Sequence, residues 1–214
     1  MIQAMQDWTP PQDFPTFRTF DVRRLSGACG GEVSGLDLSA DLSDATIDEL
    51  KAALDTHHVL FFRDQVLAPV AQAAFAARFG QLVRYPLVTG LADAPEVVPV
   101  VKRAGERHNF GGLWHADTTY LAEPPLGAML YAVTLPPFGG DTLFANAQLA
   151  FETLSPALQA FLRGLTVVQT SGKAETTRTR EDRVKDESRP PAAPLVAEHR
   201  RSSAIRATAA APST

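Results

Sequence analysis

Within Trp114-His115-Ala116-Asp117-Thr118-Thr119-Tyr120 an imidazole and a carboxylate stand two residues apart. Side chains of an extended strand alternate from face to face, so on a strand His115 and Asp117 would project from the same side. One nitrogen donor and one oxygen donor then converge on a point. That pairing suits a divalent metal such as iron(II), whose two-histidine, one-carboxylate facial triad leaves other positions free for substrate. The plainer reading is a hydrogen-bonded histidine beside Trp114 in a turn, with Asp117 capping the threonines that follow. A His-x-Asp triplet occurs by chance in many chains, so its surroundings must decide.

Downstream run Glu123-Pro124-Pro125-Leu126-Gly127-Ala128-Met129-Leu130-Tyr131 and Leu135-Pro136-Pro137-Phe138-Gly139-Gly140-Asp141-Thr142-Leu143-Phe144-Ala145-Asn146. Upstream stand Leu60-Phe61-Phe62-Arg63-Asp64-Gln65 and Ala77-Arg78-Phe79-Gly80, and Thr179-Arg180-Glu181-Asp182-Arg183 lies further on. Over residues 18–199 this set resembles the taurine and 2,4-dichlorophenoxyacetate dioxygenase family of iron(II)/2-oxoglutarate-dependent oxygenases. The resemblance implies that His115 and Asp117 bind iron and that Thr142 hydrogen-bonds a carboxylate of 2-oxoglutarate. It places Tyr85, Asn109 and Tyr120 near the substrate. It implies decarboxylation of 2-oxoglutarate to succinate, with O2 consumed and a small organic acid (a sulfonate, sulfate ester or carboxylate) oxidised.

Taken without the resemblance, the same residues have structural readings. Thr142 is a β-branched strand residue with a satisfied hydroxyl. The tyrosines are core or rim side chains. His57 and His58 end a helix and interact with its carbonyls. His108 belongs to a solvent-facing loop, and Gly139 and Gly140 shape the turn before Thr142.

These groups need elements to hold them. Phe17 to Arg24 and Gly30 to Leu38 read as strands. Ser43 caps a helix over residues 44–55, with Ile47, Leu50 and Leu54 on one face. Val59 to Phe62 reads as a buried strand. Pro69 opens a second helix that turns Val70, Ala74, Phe75 and Phe79 inward before Gly80. Val97 to Lys102, Leu126 to Thr134, Asp141 to Ala145 and Leu165 to Thr170 read as strands, and Ser155-Pro156 opens a short helix closed by Gly164. The pattern predicts a mainly β chain with flanking helices. A double-stranded β-helix, or jelly roll, is the architecture that the pattern favours and the resemblance implies.

Composition sets outer bounds. The 214 residues suit one large domain with a substantial core. A net charge of −4 gives no reason to expect nucleic acid or an acidic membrane surface as a partner. Lys173 to Arg189 holds six basic and five acidic residues and no aromatic, which reads as a solvated surface segment; in the family a comparable stretch covers the active site. Cys29 is the only cysteine, and the amino terminus carries neither a basic stretch nor an apolar run of signal length, so the cytoplasm is the expected compartment. Expected partners are a small organic acid and O2, without membrane or nucleic acid, and a homo-oligomer is compatible with the chain.

One part of the pattern does not follow. The family places a distal histidine, then an arginine that grips the far carboxylate of 2-oxoglutarate in a bidentate way. After Asp117 the sole histidine here is His199, which matches a structural segment instead, and Arg200 to Thr214 holds five alanines, no acid and no aromatic. The expected organisation is an irregular arm over 1–16, a dioxygenase-like domain over 17–199 forming the amino-terminal two thirds of a jelly roll, and an unstructured tail over 200–214. A reading-frame change would account for that tail. Permitted codons for Ser202 through Thr214, with a TGA stop directly after Thr214, read one base earlier from the last base of the Arg201 codon, can spell Val-Val-Arg-His-Pro-Gly-x-Gly-Arg-Arg-Ala-Leu-Tyr-Val, similar to what the family carries after a Glu-His pair such as Glu198-His199. Three functions compete: the dioxygenase or its amino-terminal part, an inactive truncated remnant with weak or no metal binding, and a zinc hydrolase using His115, Asp117 and His108 or His199. No His-Glu-x-x-His or cysteine cluster supports the third.

Overall fold

Alternation and capping decide where the first elements form. The computed structural model describes residues 14–85, 88–102, 105, 114–171, 196–200 and 209–212. Asn109, His108 and the charged segment from Lys173 to Arg189 lie outside the described residues. The chain divides into two compact units, Met1–Leu67 and Ala68–Thr214.

In the first unit, β1 (Asp21–Arg24) pairs antiparallel with β2 (Gly31–Ser34), and β2 pairs parallel with β3 (Leu60–Phe62). A parallel partner needs a crossover, and α1 (Asp44–His57) supplies it. The Ser43 side chain accepts from the Thr46 backbone N–H, as its position predicts for an N-cap. Ile47, Leu50 and Ala53 on α1 are buried together with Phe20, Val33, Leu38 and Leu67. At the far end of α1 the cap is made by backbone: His58 adopts φ 63° and its N–H donates to the Leu54 carbonyl. The His57 ring lies buried and stacked on Phe14, at 6.0 Å. A Cβ at Gly31 would stand 2.9 Å from Val22 Cγ1 and 3.0 Å from His57 Cγ, so a bare backbone is what lets β2 meet the helix end.

The second unit contains α2 (Pro69–Ala77), β4 (Thr142–Ala145), α3 (Ala147–Glu152), α4 (Pro156–Arg163), β5 (Thr166–Thr170), β6 (Val196–Arg200) and β7 (Ala209–Pro212). Its strands form two antiparallel pairs, β4 with β7 and β5 with β6. Pro69 opens α2 and Ser155 caps α4 as expected, while Asn146 caps the unanticipated α3 by accepting from Leu149 N–H. Gly139 and Gly140 take φ 77° and 74°, the left-handed turn ahead of β4 that their sequence position implies.

Several expectations fail here. Val97–Lys102 and Leu126–Thr134 are irregular, because among the described residues no strand offers either of them a ladder. The Gln72 side chain instead donates to the Met129 carbonyl at 3.3 Å. On α2 only Phe75 is buried, and Val70 is exposed. The 200–214 stretch, expected to be unstructured, contributes Ala209–Pro212 as a strand in register with Thr142–Ala145. Sheets and helices both form as expected, but among the described residues the strands are short and together hold fewer residues than the helices.

Candidate metal centre

His115 forms an isolated bridge, and Asp117 to Tyr120 form a turn rather than the expected continuous strand. Thr118 carries φ 51° within it. A left-handed conformation at a β-branched residue costs on the order of 1–3 kcal/mol and persists only when its surroundings impose it. The outcome for the donors is nonetheless convergence. His115 Nε2 lies 3.1 Å from Asp117 Oδ1.

Two readings fit that distance. One is a surface ion pair, but with side chains 39% and 61% exposed it would contribute at most about 1 kcal/mol. The other is a pair of adjacent ligand positions: donors each about 2.1 Å from one octahedral ion, at right angles, stand roughly 3.0 Å apart. A nitrogen and a carboxylate oxygen also match the donor set of non-haem iron. The residues present therefore fit two adjacent positions around such an ion. Among the described residues, no group of three or more His, Cys, Asp or Glu side chains could hold a metal.

One backbone bond closes the turn and the others come from β5 and β6. Leu121 N–H donates to Thr118 O at 2.9 Å, and Thr119 Oγ1 donates to Gln169 Oε1 of β5 at 3.2 Å. His199 of β6 places Nε2 2.8 Å from Thr119 O and 3.1 Å from Leu121 O. Neutral hydrogen bonds contribute about 0.5–1.5 kcal/mol each, so together these match the cost at Thr118. Sequence reasoning missed Gln169 altogether and read His199 as part of a structural segment or as a zinc ligand, not as a support for this turn; nothing local in the chain marks a contact across 80 positions.

Around this turn the predicted residues separate. Among the described residues, Thr118 Oγ1 is buried with no hydrogen bond, and the buried Tyr120 hydroxyl has none within hydrogen-bonding distance although the Tyr85 hydroxyl is near enough to act on it. Burial chiefly, then the nearby Tyr85 hydroxyl and the Asp117 charge, pushes the Tyr120 phenol far above its ordinary range. Tyr85, Tyr120 and Asp117 thus share one neighbourhood. Thr142 opens β4 as an exposed residue opposite Pro212, and among the described residues no hydrogen bond links its side chain to that set.

Comparison with known proteins supplies the wider frame. The family model described as "Taurine catabolism dioxygenase TauD, TfdA family" matches residues 21–213. The chain belongs to this family. The TauD/TfdA match continues past residue 199, where the sequence reading had ended the resemblance, and includes β7. An alkylsulfatase of Acinetobacter baylyi is 34% identical over 70% of this chain and 47% of its own length. An alpha-ketoglutarate-dependent sulfate ester dioxygenase of Pseudomonas putida is 35% identical over 65% of this chain and 46% of its length. Among solved structures, a taurine dioxygenase from Burkholderia xenovorans superposes with a TM-score of 0.64 at 33% identity, covering 86% of this chain and 58% of that one. The chain spans about half the length of the curated TauD/TfdA relatives it matches.

Proposed function

We propose that this chain carries the His-x-Asp part of an iron(II)/2-oxoglutarate-dependent dioxygenase that oxidises a small organic acid, of the sulfate ester, sulfonate or carboxylate class. The observation behind the reading is the 3.1 Å approach of His115 Nε2 to Asp117 Oδ1 within a TauD/TfdA sequence. The printed activities of relatives, sulfate ester and sulfonate dioxygenases among them, support the substrate class. His115 and Asp117 would hold iron(II), which when bound activates 2-oxoglutarate and O2. Thr142 would donate its hydroxyl to a 2-oxoglutarate carboxylate.

Tyr85, Asn109 and Tyr120 would face the substrate. With its ionisation pushed upward, Tyr120 remains a neutral phenol, able to donate to a sulfate or carboxylate without adding negative charge beside it. Residues 17–199 would form the amino-terminal two thirds of a dioxygenase jelly roll, incomplete toward the carboxy terminus, with 1–16 as an arm. His115 and Asp117 are two ligand positions, and the described residues bring no third histidine or carboxylate to them; a neighbouring subunit of a homo-oligomer could supply one. The cytoplasm is the compartment this reading favours; no helix among the described residues is long and apolar enough to cross a membrane.

Succinate release from 2-oxoglutarate, with Fe(II), ascorbate and a panel of sulfate esters, sulfonates and phenoxy acids, tests the proposal. Turnover should depend on 2-oxoglutarate and fall more than about 100-fold in His115→Ala and Asp117→Ala, since even outer-shell partners of a metal are worth 10–100-fold. Succinate formation equal in wild type and His115→Ala, or Fe(II) binding that ignores both substitutions, would overturn it.

A further inference from the structure

We infer that His199 is a positioning residue for Asp117, acting through the backbone of the turn that follows it. The inference rests on the metal reading of His115 and Asp117 and adds a part to that site. In β5, Val167 and Gln169 are the less exposed residues, and in β6 Ala197 and His199 are. Register pairs Val167 with His199 and Gln169 with Ala197, so all four share the inner face of one ribbon. From that face two polar side chains reach the same turn: Gln169 takes the Thr119 hydroxyl, and His199 meets the carbonyls of Thr119 and Leu121.

The chemistry of that contact fixes the state of one nitrogen. A carbonyl oxygen only accepts, and His199 Nε2 faces two of them, at 2.8 and 3.1 Å. Nε2 therefore carries its hydrogen and has no lone pair to give a metal through that atom. His199, the sole histidine after Asp117, is thus excluded from ligation through Nε2 while it holds this contact. What it does is hold the carbonyl two residues beyond Asp117, with the left-handed Thr118 between them. Release of Thr119 would free that residue to relax and swing the Asp117 carboxylate from His115.

The test uses the full chain, Co(II) as the probe and two substitutions that differ in reach. His199→Gln sets a side-chain amide N–H near the place of Nε2; His199→Asn is one methylene shorter and leaves both carbonyls without it. Cobalt binding is read from visible absorption, and amide hydrogen exchange is read over the peptide spanning residues 114–123. His199→Asn should weaken Co(II) about 10–100-fold, the usual effect of losing an outer-shell support. The same variant should speed exchange in that peptide about tenfold or more, with exchange in the Met1–Leu67 unit unchanged. His199→Gln should restore both readouts to within about threefold of wild type. A His199→Asn chain that binds and exchanges like wild type overturns the inference. So does equal, complete loss of Co(II) in both variants and in His115→Ala, which would make His199 a ligand. Failure of the wild type itself to take Co(II) would sink the metal reading first, and the positioning role with it.

Discussion

Thr118 links the chemistry of the site to its mechanics. Its backbone lies in a region that costs a β-branched residue about 1–3 kcal/mol, and its buried hydroxyl has no partner among the described residues. Glycine would remove both penalties, while adding about 0.5–1 kcal/mol of chain entropy to be lost on folding. Thr118→Gly should therefore leave the protein as stable as wild type or up to about 2 kcal/mol more stable, judged by urea midpoints at constant m-value. A loss of more than about 1 kcal/mol would show that the threonine makes a contact outweighing its strain. The neighbouring pair illustrates what one sequence can reveal. The spacing of His115 and Asp117 marks them as donors, but only His115 lies on a bridge and Asp117 already begins the turn. A bridge at His115 runs directly into the turn that starts at Asp117, and that turn is set by Gln169 and His199, whose identities say nothing locally about Thr119.

Elements governed by local chemistry were the legible ones. Ser43, Ser155, Pro69 and Gly164 announce helix ends because capping and proline geometry act within a few residues. Val97–Lys102 and Leu126–Thr134 have strand-like composition but join no ladder among the described residues, because pairing depends on partners that local sequence does not name. At the α1–β2 junction, local and distant effects combine on His57. Burial first, and then the charges of Arg24 and His58, lowers the His57 pKa from its ordinary 6.5. The folded state therefore favours the neutral ring, and below about pH 6.5 the unfolded chain binds the extra proton more readily. Stability contributed by neutral His57 is full above that pH and declines as pH falls through the window below it. Wild type should lose stability between pH 7.5 and about 5.5, and His57→Gln, which cannot titrate there, should lose less. Urea unfolding followed by far-ultraviolet circular dichroism at both pH values measures this. Equal losses in the two proteins would remove His57 as the cause.

Burial is unequally shared between the two units. Phe20, Val33, Leu38, Ile47, Leu50, Ala53 and Leu67 are buried in Met1–Leu67, whereas the second unit buries Phe75, Ala94 and Ala197 among its described apolar residues. In that unit Leu126, Leu130, Val133, Leu135 and Phe138 are each 70–87% exposed. Local opening free energy follows buried apolar contact, so the two units should differ in protection. Hydrogen exchange of the intact chain should show amides of α1, β2 and β3 outlasting those of β4, β5 and β6 by about 100-fold or more, equivalent to roughly 3 kcal/mol of local stability. Exposed leucine and phenylalanine of this extent also invite association, which would mask the difference at high concentration. The measurement therefore belongs at low concentration, repeated in a Leu130→Gln, Phe138→Ser double variant. Substitution at two residues already facing solvent should cost within about 0.5 kcal/mol, reduce light scattering, and leave the exchange order intact. If β5 and β6 instead proved as protected as α1, the ribbon carrying Gln169 and His199 would be a rigid platform independent of the apolar surface, and uneven burial would not govern where this protein opens.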